Sequence, residues 1–193
     1  MGGSLELHEI LNIFNMLPEE YKKNIKTFVE TGTYKGDTVS RLSPYFDTLH
    51  TFEIHEGLYN SSKNRLLSEG KKNVQCYLGD SVQLLKTTMK FIDDESCIFF
   101  IDAHISGSDS SFCNKYQVPL IEELEVICSQ LKSKYNIFIL DDARFWYSGK
   151  DSLVPPDWKH ITEEGILNIF KSNNFKIIKN YLENDRYIVV VEK

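Results

Sequence analysis

Apolar and polar positions along this chain switch repeatedly between a helical period and an extended one. Leu7, Ile10, Leu11, Phe14 and Leu17 recur near helical spacing between Leu5 and Asn24, and Pro18 interrupts them, which predicts an N-terminal helical extension over residues 1–25. Alternation then begins. Lys26 to Glu30 reads as a short strand ending in a Gly-containing turn, and Asp37 to Leu42 as a helix with Asp37 at its N-cap. Leu49 to Ile54 is a second strand, followed by a helix from Leu58 to Leu67 that Gly70 closes. Val74 to Leu78 is a third strand and Val82 to Phe91 the next helix. Cys97 to Ile101 and Ile137 to Leu140 are continuous apolar runs, as strands covered on both faces require. Between them, the stretch from Tyr116 to Leu131 places Leu120, Leu124, Ile127 and Leu131 on one helical stripe. A helix from Thr162 to Lys171 and two strands, Phe175 to Tyr181 and Tyr187 to Val191, close the chain, with Asn184-Asp185 as the turn between the strands.

Strands alternating with helices predict an α/β fold: a mostly parallel sheet with helices on both faces and an antiparallel last strand. The length of 193 residues suits one domain over 1–193, with its core in 26–193. In such open sheets ligands bind beyond the carboxyl ends of the strands. The least regular stretches, Ile105 to Gln117 and Phe145 to Ile161, both follow such ends.

Composition narrows the partners. A hydrophobic share of 41% and a charged share of 26% are ordinary for a globular chain. A net charge of −6 argues against nucleic acid, and the short basic runs at Lys22, Lys23 and Lys26 and at Lys71 and Lys72 read as solvated faces. Cys76, Cys97, Cys113 and Cys128 form neither a CxxC pair nor a disulfide framework, so a reducing, cytoplasmic setting is expected. No apolar run approaches the ~20 residues of a membrane span, so no membrane insertion is expected. A homodimer is left open as the mode of assembly.

The candidate chemistry lies at the strand ends. Glu30-Thr31-Gly32-Thr33-Tyr34-Lys35-Gly36-Asp37 follows a strand and opens a helix. Gly32 permits a tight turn, and Gly36 a close approach of helix and ligand. Tyr34 stands where a dinucleotide fingerprint has its middle glycine, and Glu30 suits a cationic amino group better than a phosphate. Glu53 lies 21 positions beyond Gly32 at the end of the second strand, placed to accept from ribose hydroxyls, with Glu56 as the alternative carrier. Asp80 and Ser81 follow the third strand, where Asp80 reads equally as a helix cap and as part of an adenine pocket. The fourth and fifth strands end in Asp102-Ala103-His104 and Asp141-Asp142-Ala143-Arg144. Three carboxylates brought together need compensation, and oxygen ligands favour Mg²⁺ or Mn²⁺. His104 is near enough to serve as a base on a substrate hydroxyl. The alternative reading gives the aspartates capping roles and His104 a structural one.

Taken in order, Phe28 to Thr38, Thr51 to Glu56, Leu78 to Ser81, Phe99 to Ser106 and Ile139 to Arg144 resemble the successive motifs of class I S-adenosylmethionine-dependent methyltransferases. More narrowly, they are similar to sugar and small-molecule O-methyltransferases of the macrocin type, related in layout to the metal-dependent catechol type. The resemblance spans roughly residues 26–193 and implies a Rossmann-like seven-stranded sheet of order 3-2-1-4-5-7-6. It implies S-adenosylmethionine bound by Glu30, Gly32, Thr33, Gly36, Glu53, Asp80, Ser81 and Asp102. It further implies Mg²⁺ or Mn²⁺ held by Asp102, Asp141 and Asp142, with His104 and Asp102 catalytic. Tyr34 departs from the commoner glycine pattern. The acceptor implied is a sugar or glycan hydroxyl, for example of a deoxysugar such as rhamnose. Ser106, Ser108, Asp109, Ser110 and Ser111 together with Phe145, Trp146, Tyr147 and Trp158 would wall it. The rival readings are an NAD(P)-dependent oxidoreductase on the same sheet, against which Glu30 and Tyr34 speak, and a methyltransferase-like binding domain without turnover.

Overall fold

The structure is a computed structural model that describes residues 3–92, 96–104, 118–147 and 156–193. Seven strands form one sheet: β1 (Ile25–Thr31), β2 (Thr48–Glu53), β3 (Val74–Leu78), β4 (Ser96–Ile101), β5 (Tyr135–Leu140), β6 (Lys176–Glu183) and β7 (Arg186–Glu192). Their order is β3-β2-β1-β4-β5-β7-β6. The first five strands pair in parallel, while β7 runs antiparallel to both β5 and β6. This is the architecture and strand order expected. The parallel part leaves the carboxyl ends of β1 to β5 on one edge, and the β6–β7 turn reaches the same edge because β7 runs the other way.

Period-two alternation in the strands builds two cores, one on each face of the sheet. Val29, Phe99, Phe138 and Leu140 point to one face, where they meet α5 (Ser81–Ile92), α6 (Leu120–Gln130) and α7 (Glu163–Ser172). Phe28, Ile98, Phe100, Ile137 and Ile139 point to the other, against α1 (Leu7–Asn15), α2 (Glu19–Asn24), α3 (Asp37–Leu42) and α4 (Glu56–Ser68). Strand β4 lies between β1 and β5 with all six residues buried, which is why its sequence is apolar without alternation.

Local details refine the sequence reading. Pro18 separates α1 from α2, and Glu6 with Glu9 forms a reciprocal capping box at the start of α1. Asp37 is not the N-cap of α3: Gly36 takes that position in a left-handed conformation, and Asp37 is the first helical residue, paired with Arg65 at 2.7 Å. Helix α6 begins only at Leu120, after Pro119, and Tyr116 lies outside the described residues. Thr162 caps α7 by accepting from the Gly165 amide at 3.0 Å. No described helix is long and apolar enough to cross a membrane.

Candidate active site

The turn after β1 is tied to the tip of β2. The amides of Gly32 and Thr33 both donate to the Phe52 carbonyl, each at 3.0 Å. Gly32 has φ +83, and a Cβ there would sit 2.7 Å from the carbonyl oxygen of Asp102. Glycine is therefore required by the passage of the turn against the end of β4, before any ligand is considered. Gly36, at φ +75, faces Ser62 and Leu66 of α4. Its freedom serves helix packing in this structure. Tyr34 also takes a positive φ, 48, so it reproduces the backbone that a middle glycine would supply while its ring stays 45% exposed.

Glu30 is wholly buried and accepts from the Thr51 hydroxyl at 2.7 Å. Thr51 spends its one proton there, so Thr33, 2.6 Å away, donates to Thr51. Burial raises the Glu30 carboxyl to about 8; hydrogen bonds from Thr51 and Thr38 work against the rise, and the charges of Asp102 and Glu53 add to it. Glu53, at the end of β2, accepts from the Tyr34 amide at 2.7 Å and the His55 amide at 2.8 Å. It thereby fastens both flanking loops, with lone pairs left over on each oxygen. Asp80 caps α5, accepting from the Val82 amide at 2.9 Å. The Ser81 hydroxyl donates to Glu123 of α6.

The second half of the site lies at the tips of β4 and β5. His104 Nε2 is 2.7 Å from Asp142 Oδ2, and His104 Nδ1 is 3.4 Å from Asp102 Oδ1. Asp142 reaches the imidazole because its backbone is left-handed, at φ 55, a conformation that Asp tolerates better than most residues. Its other oxygen pairs with Arg144 at 2.6 Å, and Arg144 also pairs with Asp185 of the β6–β7 turn. One ligand atom from each of Asp102, His104 and Asp142 lies within 4.8 Å of the others, a group able to hold a metal ion. Asp141 departs from the ligand set expected for it. Asp141 Oδ1 accepts from Arg186 Nε at 3.1 Å, and the same carboxyl lies against Asp102, which together with burial raises it to about 7.

Charge is concentrated here. Burial opposes a charged His104, but its bonds to Asp102 and Asp142 outweigh that, and the imidazole is raised to about 10. Burial raises Asp102, and its contact with His104 offsets part of the rise. Burial works against ionised Asp142 too, yet His104 and Arg144 hold it below its ordinary value. In this arrangement His104 carries its proton at neutral pH and cannot accept another until something displaces it.

Of the aromatic wall, Trp158 meets the His104 ring edge-on at 5.5 Å and packs with Phe145 at 5.1 Å. Trp146 is buried against Tyr147 and Tyr187, so it belongs to the core and not to a wall. Ser106, Ser108, Asp109, Ser110 and Ser111 lie outside the described residues. The sequence reading missed Glu123 and Arg186. Glu123 shares the stripe of Leu120, Leu124 and Ile127, and a lone carboxylate inside an apolar stripe was its signal. Arg186 heads the buried run of β7 and links Asp141 to Glu9 of α1 and to the Gly3 carbonyl, 2.7 Å away.

No protein-family model and no curated protein matches the chain. Among solved structures, SMU.1697c from Streptococcus mutans, a methyltransferase candidate crystallised with S-adenosylhomocysteine, is 15% identical with TM-score 0.58, covering 99% of each chain. A caffeoyl-CoA O-methyltransferase candidate from Staphylococcus aureus is 15% identical with TM-score 0.62, covering 98% of this chain and 93% of that one. An S-adenosylmethionine-dependent methyltransferase from Aquifex aeolicus is 14% identical with TM-score 0.57, covering 95% and 87%. At such identities the likeness is one of fold, and the fold of this chain is that of the S-adenosylmethionine-dependent methyltransferases.

Proposed function

We propose that the chain is an O-methyltransferase that takes a methyl group from S-adenosylmethionine and passes it to a hydroxyl of a sugar or glycan. The observation that carries this reading is the convergence of Asp102, His104 and Asp142 beside a β1 turn that is already closed by its own hydrogen bonds. The neighbouring structures, one with S-adenosylhomocysteine bound, support the choice of methyl donor. The donor would lie along the tips of β1 to β4. Glu30 and the Gly32–Thr33 turn would flank its amino-acid end, Gly36 the entry to α3, Glu53 its ribose and Asp80-Ser81 its adenine. Each of these groups is held by protein partners beforehand, so little ordering is left for the binding step.

Asp102, His104 and Asp142 fit a divalent cation, because two carboxylate oxygens and one imidazole nitrogen suit Mn²⁺ and also serve Mg²⁺. Such an ion lowers the pKa of a coordinated hydroxyl and orients it. The residues' own part is to place the acceptor. Phe145 would offer an apolar face and Arg144 polar contacts beside the cluster, a mixture suited to a sugar ring, with the buried Trp158 packed against both Phe145 and His104.

A second reading rests on the same distances. The protonated imidazole between Asp102 and Asp142 itself supplies the positive charge that two carboxylates need, and methyl transfer then proceeds by alignment of donor and acceptor alone. The test is a thermal-shift panel of S-adenosylmethionine, S-adenosylhomocysteine and NAD(P)H, followed by turnover on sugar acceptors with and without EDTA. Stabilisation by the two adenosyl compounds and loss of turnover on chelation, restored by Mn²⁺ or Mg²⁺, is the expected result. Full turnover in excess EDTA selects the second reading, and stabilisation by NAD(P)H alone overturns both.

A further inference from the structure

Helix α6 carries Glu123 with no exposed surface, and neither the acidic cluster nor the β1 turn uses it. A carboxylate there is costly unless it is bonded. It is bonded twice: the Thr31 hydroxyl, at the end of β1, donates to Oε2 at 3.1 Å, and the Ser81 hydroxyl, at the start of α5, donates to Oε1. Thr31 in turn accepts from the backbone amide of Asp102 at 3.2 Å. One side chain of α6 thus joins the ends of β1 and β4 and the first turn of α5. These border the strand-tip edge at which the methyl donor is proposed to bind.

We propose that Glu123 is a positioning residue for that edge: through Thr31 and Ser81 it sets the spacing between the β1 turn, the Asp102 backbone and the start of α5. An alternative way to tie three elements together would be apolar packing, to which Leu120, Leu124 and Ile127 of the same helix already contribute. Apolar packing is non-directional and fixes distances loosely, whereas two hydroxyls on one carboxylate fix both distance and angle. The carboxylate also commits the Ser81 hydroxyl inward, so that the first turn of α5 meets that edge with its backbone and with Asp80 rather than with that hydroxyl. The inference rests on the reading of that edge as a donor site, and its test separates the two.

Glu123→Leu, Glu123→Gln and Thr31→Val would be compared with the parent protein by S-adenosylhomocysteine titration calorimetry and thermal unfolding. Glu123→Leu leaves the Thr31 and Ser81 hydroxyls without that partner and lowers the melting temperature whatever the residue's role, so affinity discriminates: a residue that only fills the core predicts unchanged affinity. Positioning predicts that affinity falls at least about tenfold in Glu123→Leu and Thr31→Val and returns to within about threefold in Glu123→Gln, whose amide still bonds both hydroxyls. If Glu123→Leu does not fold, Thr31→Val decides, since it cuts one arm only; unchanged affinity there overturns the proposal. If the parent protein does not bind S-adenosylhomocysteine, the donor reading fails, and hydrogen exchange of the Asp102 amide in the unliganded proteins decides instead. Exchange about tenfold faster in Glu123→Leu and near the parent rate in Glu123→Gln supports positioning, and equal rates in all three overturn it.

Discussion

The two halves of the strand-tip edge handle their carboxylates in opposite ways. On the β1–β2 side, Glu30 and Glu53 are met by hydroxyl and backbone donors, with no cationic side chain among their described hydrogen bonds. On the β4–β5 side, Asp102, Asp141 and Asp142 are met by His104, Arg144 and Arg186. Neutral donors are fixed by the backbone and hold a shape. Charged partners on side chains hold a charge balance that a cation or a reacting group can disturb. On the proposed function the first half would serve recognition and the second chemistry, and substitutions should then separate binding from turnover along the same line.

The largest effect belongs to the second half. His104→Ala, which removes the nitrogen ligand and the positive charge between Asp102 and Asp142, should lower the maximal rate by about 10²–10³-fold, the usual worth of a preorganised electrostatic group, and leave S-adenosylhomocysteine affinity unchanged. A variant that lost affinity and kept its rate would reverse the assignment of the halves. Next comes Gly32→Val, which places a branched side chain at φ +83 with its Cβ against the Asp102 carbonyl. The left-handed backbone alone costs about 1–3 kcal/mol, and the collision adds to that, so urea unfolding should show a clear loss of stability together with weaker donor binding. Glu53→Ala should cost ~1–3 kcal/mol in S-adenosylhomocysteine affinity by calorimetry, with turnover at saturating donor largely kept.

The smallest effect is one of pH on stability. Glu30 and Glu123 are both raised from 4.5 to about 8, chiefly by burial. A carboxyl whose folded value is raised binds its proton more tightly in the folded state, so stability is greatest below 4.5 and is lost as pH rises through about 8. Glu123→Gln removes one of the two groups, and the decline across that window should become shallower in urea titrations. An unchanged slope would mean that the two hydroxyl donors keep Glu123 ionised throughout.

Much of this molecule was written in its linear pattern. The apolar runs at Cys97 to Ile101 and Ile137 to Leu140, the stripe of α6 and the break at Pro18 follow from periods of 2.0 and 3.6, which are properties of the local backbone. The acidic strand ends were legible for the same reason, since every parallel strand delivers its carboxyl end to one edge. The sequence alone could not decide which acid faces which partner. Asp141 and Asp142 are neighbours in the chain, yet one turns to Arg186, brought over by the antiparallel β7, and the other to His104. Gly32 was legible as a turn residue, but the need for it comes from a carbonyl 70 positions away, at Asp102. Ser81 was legible as a residue of the strand-tip edge, but that its hydroxyl bonds Glu123 of α6 was not. Local periodicity determines which elements form and which of their faces are apolar. Side-chain direction at the strand ends is settled by hydrogen bonds and charges between segments far apart in sequence, and those meet only once the sheet is assembled.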